Sequence, residues 1–119
     1  MRIKVAIIDH LGAHGSSHHF YLFGQAKGLI KNGVNVSLYT NTYTSDPEIR
    51  GLEFYQFYEN IFSKNSRWLA AMRYFIGSVR SHFHARINSC NIFHYHIFGF
   101  SVLVLFNMLL AKLLFGKIV

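Results

Sequence analysis

The sequence predicts an α/β domain, a Rossmann-like doubly wound parallel sheet, on three observations. Short β-branched or aromatic runs alternate with stretches of helical period in the order strand, helix, strand, strand, helix, strand, helix, strand start. The first strand, helix and strand fit within residues 3 to 41, the length of a βαβ unit with its right-handed crossover. Hydrophobic residues make up 51% of the chain and aromatic ones 17%, enough to bury a core and to exclude a disordered, solvating role.

Ile3 to Asp9 is a β-branched run of the kind buried on both faces of a parallel sheet. His10 to Ser17 carries Gly12, Gly15, Ser16 and Ser17, a turn that delivers the chain to a helix N-terminus near Ser17. Phe20, Leu22, Phe23, Ala26, Leu29 and Ile30 then share one half of a helical wheel, with Lys27 and Lys31 outside it or at its edge. Asn32-Gly33 is the left-handed cap, and Val34 to Thr40 the second strand. The segment from Tyr43 to Gly51 holds Pro47, the single proline, and reads as a solvent loop before the aromatic strand Leu52 to Tyr58. From Ser66 to about Ile87 the period is helical again. Trp68, Met72, Phe75, Ile76, Val79, Phe83 and Ile87 form its apolar arc, with Arg73 and Arg80 along one edge. If the helix is ordinary core, that arc is expected to dock on the sheet through Phe75 and Val79, with Trp68, Met72, Arg73 and Arg80 left as an exposed edge. Arg86 falls inside it, so either the helix stops earlier or the side chain snorkels. Asn91 to Phe98 is the fourth strand and Ser101 to Phe115 a helix apolar nearly all round. Lys117-Ile118-Val119 begins a fifth strand, so one incomplete domain over residues 1 to 119 is expected.

The net charge of +7 is unevenly distributed. Arg2, Lys4, Lys27, Lys31 and Arg50 balance Asp9, Asp46, Glu48, Glu53 and Glu59. Residues 60 to 119 contain Lys64, Arg67, Arg73, Arg80, Arg86, Lys112 and Lys117 and no acid, so the whole net charge belongs to the second half. An anionic partner is implied. Without a recognition motif to accompany the charge, nucleic acid is not expected. A basic-aromatic edge at Trp68, Arg73 and Arg80 suits a membrane surface, against the bland reading of a sheet-covering helix with a solvated edge. Cys90 is the single cysteine and the N-terminus lacks signal-peptide character, so a reducing, cytoplasmic location is expected.

Two histidines of the fourth strand, His94 and His96, leave the same face near its C-terminal end. In a doubly wound sheet that end lies beside the first βα loop, where His10, His14, His18 and His19 cluster and the helix N-terminus offers unpaired N–H groups. No metal is expected, because thiolate or carboxylate company is missing apart from Asp9. Nucleophilic catalysis has little support: Ser16 and Ser17 lack the G-x-S-x-G elbow, and Cys90 lies at the wrong end of its strand. Proton transfer would fall to Asp9 or a histidine.

Three segments carry a family likeness. Lys31-Asn32-Gly33-Val34-Asn35-Val36-Ser37-Leu38-Tyr39-Thr40 resembles the K-x-G-H-E-V-x-V-x-T segment of GT-B glycosyltransferases of the family 4 type. Cys90 to His96 resembles their x-D-I-I-H-x-H strand, and Leu109 to Val119 their L-L-A-K-L-L-G-K-K-V-V helix and strand. Asn91 stands where Asp is usual and Asn35 where Glu is usual. The pair of Glu residues eight apart that marks retaining members does not occur. The resemblance implies the acceptor-side N-terminal domain of an enzyme that moves a sugar from a nucleotide-sugar to a polysaccharide or lipid-linked acceptor, with no cofactor. It implies that Gly12, Gly15, Ser16, Ser17 and His18 approach the substrate and that His94 or His96 contacts the reacting groups. The basic-aromatic edge at Trp68, Arg73 and Arg80 adds the expectation of peripheral contact with the inner face of the membrane, near a lipid-linked substrate. The alternative is a non-catalytic α/β module that binds anionic ligands or a membrane surface.

Overall fold

The computed structural model describes residues 3–10, 19–59, 67–95, 102–114 and 117–118. Its elements are β1 (Lys4–Ile8), α1 (His19–Lys31), β2 (Asn35–Asn41), β3 (Leu52–Tyr58), α2 (Arg67–Ile87), β4 (Ile92–Tyr95), α3 (Val102–Leu113) and β5 (Lys117–Ile118). The five strands form one parallel sheet in the order β3-β2-β1-β4-β5. The order reverses between β1 and β4, which is the doubly wound topology expected from the sequence. The parallel neighbours β2 and β3 are joined without a helix, through residues 42–51.

Helix ends follow their cap chemistry. After α1, Gly33 takes φ 82°, Gly33 N donates to Ile30 O at 3.0 Å and Val34 N to Leu29 O at 3.0 Å. This pairing satisfies carbonyls the helix would otherwise leave orphaned. The same motif closes α2, where Ser89 N donates to Arg86 O at 3.1 Å and Cys90 N to Ala85 O at 2.8 Å. There the left-handed position, φ 68°, is held by Ser89, a side-chain-bearing residue where glycine is favoured.

Alternation along the strands divides the core in two. Val5, Ile7, Val36 and Leu38 pack with Leu22 and Ala26 of α1, an aliphatic layer. The opposite face is aromatic: Tyr39, Tyr58 and Phe93 are buried there with Tyr55, Phe57 and Tyr95 packed against them, under Tyr74 and Ala85 of α2 and Ala111 of α3. Between β2 and β3 the register slips, so that Tyr39 opposes Tyr55 but Asn41 opposes Tyr58. The residue inserted in β3 puts Phe57 and Tyr58 on the same aromatic face, in spite of the two-residue period.

That bulk decides how α2 sits, and it reverses the expected orientation. The buried residues of α2 are Tyr74, Gly77, Ser78, Ser81, His82 and Ala85, mostly small or polar. The apolar arc read from the sequence points outward: Trp68 is 74% exposed and Phe75, expected on the sheet, is 48% exposed. A sheet face already filled with tyrosine and phenylalanine leaves room for small side chains only, because interiors are packed close to the density of organic crystals. A Cβ on Gly77 would lie 2.6 Å from Tyr58 Cδ1 and 3.0 Å from the Phe57 carbonyl oxygen. Phe75 stacks instead on Phe106 of α3, with centroids 4.7 Å apart. Arg86 is exposed and the helix runs through it, since the arc that contains it faces solvent. Phe20, expected on the buried half of α1, is also exposed.

Candidate functional site

β1 ends in Asp9, which is buried, and the Asp9 amide donates to Tyr39 O at 2.9 Å. The chain then reaches His10, whose carbonyl accepts from Asn41 Nδ2 at 2.7 Å. Asn41 Oδ1 in turn accepts from Tyr43 N at 3.0 Å and Thr44 Oγ1 at 2.8 Å, so one side chain ties the C-terminal ends of β1 and β2 to the following loop. The His10 ring stands edge-on to Tyr74, centroids 4.8 Å apart. These contacts fix a rim of polar groups at the C-terminal ends of β1 and β2, beside the β1–β4 switch point where doubly wound sheets take ligands.

Behind the rim, under α2 and α3, lies a buried polar network that the sequence did not reveal. The carbonyl of Ser78 can only accept, so His82 Nδ1, 2.7 Å away, carries the ring proton. Nε2 then faces the Tyr95 hydroxyl at 2.6 Å, and that hydroxyl is also 3.0 Å from the Asn107 carbonyl. Its single proton serves one acceptor at a time. Asn107 Nδ2 donates to the Tyr74 hydroxyl at 2.7 Å, and the Tyr58 hydroxyl pairs with Ser78 Oγ at 3.0 Å. Burial drives the His82 pKa down to about 4, only partly offset by its bond to the Ser78 backbone. Burial likewise raises the Tyr74 phenol to about 12 and pushes Tyr58 and Tyr95 further up. All four are therefore neutral at physiological pH, and the network holds α2, β4 and α3 together without a buried charge. The signal that could have exposed it was the small and polar spacing Ser78, Ser81, His82 and Ala85, one side of a helix that reads as solvent-facing.

At the other end of the sheet, Glu53 Oε2 accepts from Ser37 Oγ at 2.7 Å, Asn88 Nδ2 at 2.6 Å and the Tyr55 hydroxyl at 3.3 Å, while Lys4 Nζ is 3.3 Å from Oε1. Partial burial alone would raise this carboxyl, but the bonds from Ser37, Asn88 and Lys4 outweigh it and hold the pKa below its ordinary value. The Asn91 side chain, in the position where the family pattern has Asp, accepts from the Lys4 amide at 3.2 Å. Cys90 beside it is buried, with its thiol pKa raised by that burial. This end is structural in character: its groups satisfy one another.

Of the two strand histidines His94 and His96, His94 is described. It pairs with Ile7 in the β1–β4 ladder and faces the α1 side of the sheet. There it lines a half-open cavity of about 320 Å³ with Ile7, Gln25, Gly28, Leu29 and Asn32. Among the described residues, the rest of this lining comes from β1, from the second half of α1 and from the turn that follows it. His96, Gly12, Gly15, Ser16, Ser17 and His18 lie outside the described residues. Among the described residues, no group of three or more His, Cys, Asp or Glu side chains could hold a metal ion.

Arg73 and Arg80 sit together, as the wheel implied, lining a cleft of about 130 Å³ with Phe57, Glu59 and Ile76. The Arg80 guanidinium lies 4.6 Å from the Phe57 ring centroid, and its Nη1 is 3.8 Å from Glu59 Oε1. Trp68 is on the outer face of the same helix, away from this cleft.

The sheet order, the helices on both faces and the rim at the switch point define the chain as a Rossmann-like doubly wound α/β fold. The crystal structure of MurG from Acinetobacter baumannii has a similar fold, with a TM-score of 0.64 at 15% sequence identity over 99% of this chain. The chain spans only 34% of the MurG chain. A phenylacrylic acid decarboxylase from Aquifex aeolicus aligns over 99% of this chain and 80% of its own at 13% identity, but its TM-score of 0.38 carries no argument about topology. No family model matches the sequence, and no curated protein matches it significantly.

Proposed function

We propose that the chain is the acceptor-side N-terminal portion of a GT-B glycosyltransferase that moves a sugar from a nucleotide-sugar to a polysaccharide or lipid-linked acceptor at the cytoplasmic face of the membrane. The observation that carries the reading is the fold likeness to MurG, a GT-B glycosyltransferase, along nearly the whole chain. The three family-like segments, in order, add to it. Because the chain spans about a third of MurG, the nucleotide-sugar half of the cleft belongs to a second domain in this proposal. Gly12, Gly15, Ser16, Ser17 and His18 approach the substrate from the first βα loop. A neutral imidazole at His94 or His96 contacts the acceptor or reacting sugar and accepts a hydroxyl proton near neutral pH.

The test uses the two-domain enzyme. His94→Ala and His96→Ala should each lower kcat/KM by about 10²-fold or more, the scale of lost acid–base help, with circular dichroism unchanged. Residues 1 to 119 alone should not turn over any nucleotide-sugar. Full activity in both histidine variants makes those residues structural, and turnover by the isolated chain removes the need for a second domain.

A further inference from the structure

We propose that the cavity between α1 and the turn before β3 is a binding site for a small organic phosphate. Lys31 and Arg50 place it at the N-terminal ends of β2 and β3, the opposite end of the sheet from the polar rim at Asp9 and Asn41. It lies in the half of the chain whose formal charges cancel, so composition gave no sign of it.

Two elements bring three cations to this cavity. Lys27 and Lys31 stand one turn apart on the same side of α1. Arg50 comes from the segment that reads in the sequence as a solvent loop. That segment ends in a tight turn, in which Leu52 N donates to Ile49 O at 3.1 Å and Gly51 takes φ 88°. The turn lies against the helix, since a Cβ on Gly51 would be 3.3 Å from Ile30 Cγ2. Arg50 therefore projects from the corner of a hydrogen-bonded turn seated on α1, into a space of about 480 Å³ shared with both lysines.

Among the described residues, none of the three cations has an ion pair or a side-chain hydrogen bond. Asp46 and Glu48 belong to the same loop but lie outside the lining, and the Asp46 carboxylate accepts from the Glu48 amide at 2.8 Å. Glu53, which follows in β3, is engaged by Lys4, Ser37 and Asn88. The α1 macrodipole accounts for Lys31, in the last turn. It accounts neither for Lys27 one turn earlier nor for Arg50 from another element, and like charges four residues apart on a helix repel. An anion held between them turns that repulsion into attraction.

The shape of the cavity narrows the class of anion. Its volume exceeds the needs of a bare phosphate and falls in the range that takes an organic ligand. Gly24 and Gly28 leave the helix side open, with nothing within 4 Å of a Cβ at either position. Ile30 and Ile49 supply an apolar wall for a carbon skeleton. The planar Arg50 guanidinium matches two phosphate oxygens, and the lysines act as point charges. Three cations suit a phosphate monoester, a dianion at neutral pH, better than the single charge of a carboxylate.

Isothermal titration calorimetry of the purified chain with phenyl phosphate and with benzoate tests the site. Phenyl phosphate should bind, and benzoate, with the same ring and one charge fewer, about tenfold more weakly. Arg50→Gln, and Lys27→Gln with Lys31→Gln, should each weaken phenyl phosphate binding about tenfold, the scale of a lost charge-assisted hydrogen bond. Gly24→Gln with Gly28→Gln keeps every charge but fills the open side, so it should weaken binding as much while circular dichroism stays unchanged. Arg67→Gln with Arg86→Gln, an equal charge loss on α2, should leave binding intact. Absence of binding, equal affinity for benzoate, or equal weakening by the α2 pair overturns the proposal. So does co-sedimentation with phosphatidylglycerol vesicles through Lys27, Lys31 and Arg50 when phenyl phosphate does not bind, which would give the site to lipid headgroups. No sugar is transferred in these measurements, so their outcome is independent of the catalytic reading.

Discussion

Gly77→Ala should destabilise the protein, although alanine is the better helix former. In an open helical position the exchange gains about 1 kcal/mol. At Gly77 the new methyl carbon meets Tyr58 Cδ1 at 2.6 Å, the Phe57 carbonyl oxygen at 3.0 Å and Tyr58 Cα at 3.1 Å. Two of these atoms are strand backbone, and the tyrosine ring is fully buried with its hydroxyl bonded to Ser78, so no flexible group can give way. Overpacking of this kind costs about 1 to 3 kcal/mol, and with contacts this short against backbone the upper part of that range applies, for a net loss of up to about 2 kcal/mol. Gly24→Ala and Gly28→Ala on α1 are the matched controls, since a Cβ there meets nothing within 4 Å. Each should be stabilising by about 1 kcal/mol. Urea unfolding followed by far-UV circular dichroism gives all three signs in one experiment. If Gly77→Ala gained as much as the α1 pair, α2 could not be pressing its small side onto β3, and the inverted orientation of the helix would be wrong.

Acidification should weaken the fold in two separable windows. His82 has a folded pKa of about 4 against an ordinary 6.5, so the unfolded chain binds the extra proton first. Stability is then complete above pH 6.5 and falls as pH drops toward 4, by about 3 kcal/mol in all; urea midpoints at pH 7.5 and 5 should converge in His82→Gln, and an unchanged pH slope in that variant would refute the assignment. Glu53, held below its ordinary 4.5, stabilises at neutral pH and loses that contribution as pH falls below 4.5; Glu53→Gln should flatten this lower window, and identical acid midpoints would leave the carboxylate without a role. Ser89→Gly should raise the thermal midpoint, because the residue sits at φ 68° and glycine carries no Cβ penalty there, worth about 1 kcal/mol; a lower midpoint would mean that the serine side chain earns its place otherwise.

The order of elements was legible because each carries its own signal. The sequence bounds β3 at Leu52 and Tyr58, carries the helical period of α2 to about Ile87 with Arg86 as its one discord, and marks Asn32-Gly33 as the cap it forms. The side on which α2 would be buried was not legible. Periodicity locates an apolar arc but cannot say what the arc faces, and here the competing principle was volume. The aromatic run of β3 was noted as a strand signal. Its consequence, that a face carrying Tyr55, Phe57 and Tyr58 needs a helix of glycine, serine and alanine, follows only once the slip in register turns Phe57 and Tyr58 to one side.

The same argument bears on the polar network. Small residues facing the sheet bring α2 close, and close approach leaves no room for water around whatever polar groups remain at the interface. Ser78 and His82 on α2, Tyr95 on β4 and Asn107 on α3 therefore bond to one another in one connected set, although Asn107 Oδ1 and Ser81 Oγ stay buried without a hydrogen-bond partner among the described residues. Tyr95 has one proton for two acceptors, so the set is short of one donor as long as His82 stays neutral. Protonating Nε2 would supply that donor, but at the cost of a buried charge, and the pKa near 4 reflects how heavily burial weighs against it. The inverted helix thus has two linked consequences: an interior that loses stability in acid because its histidine is buried, and an exterior whose large side chains face outward.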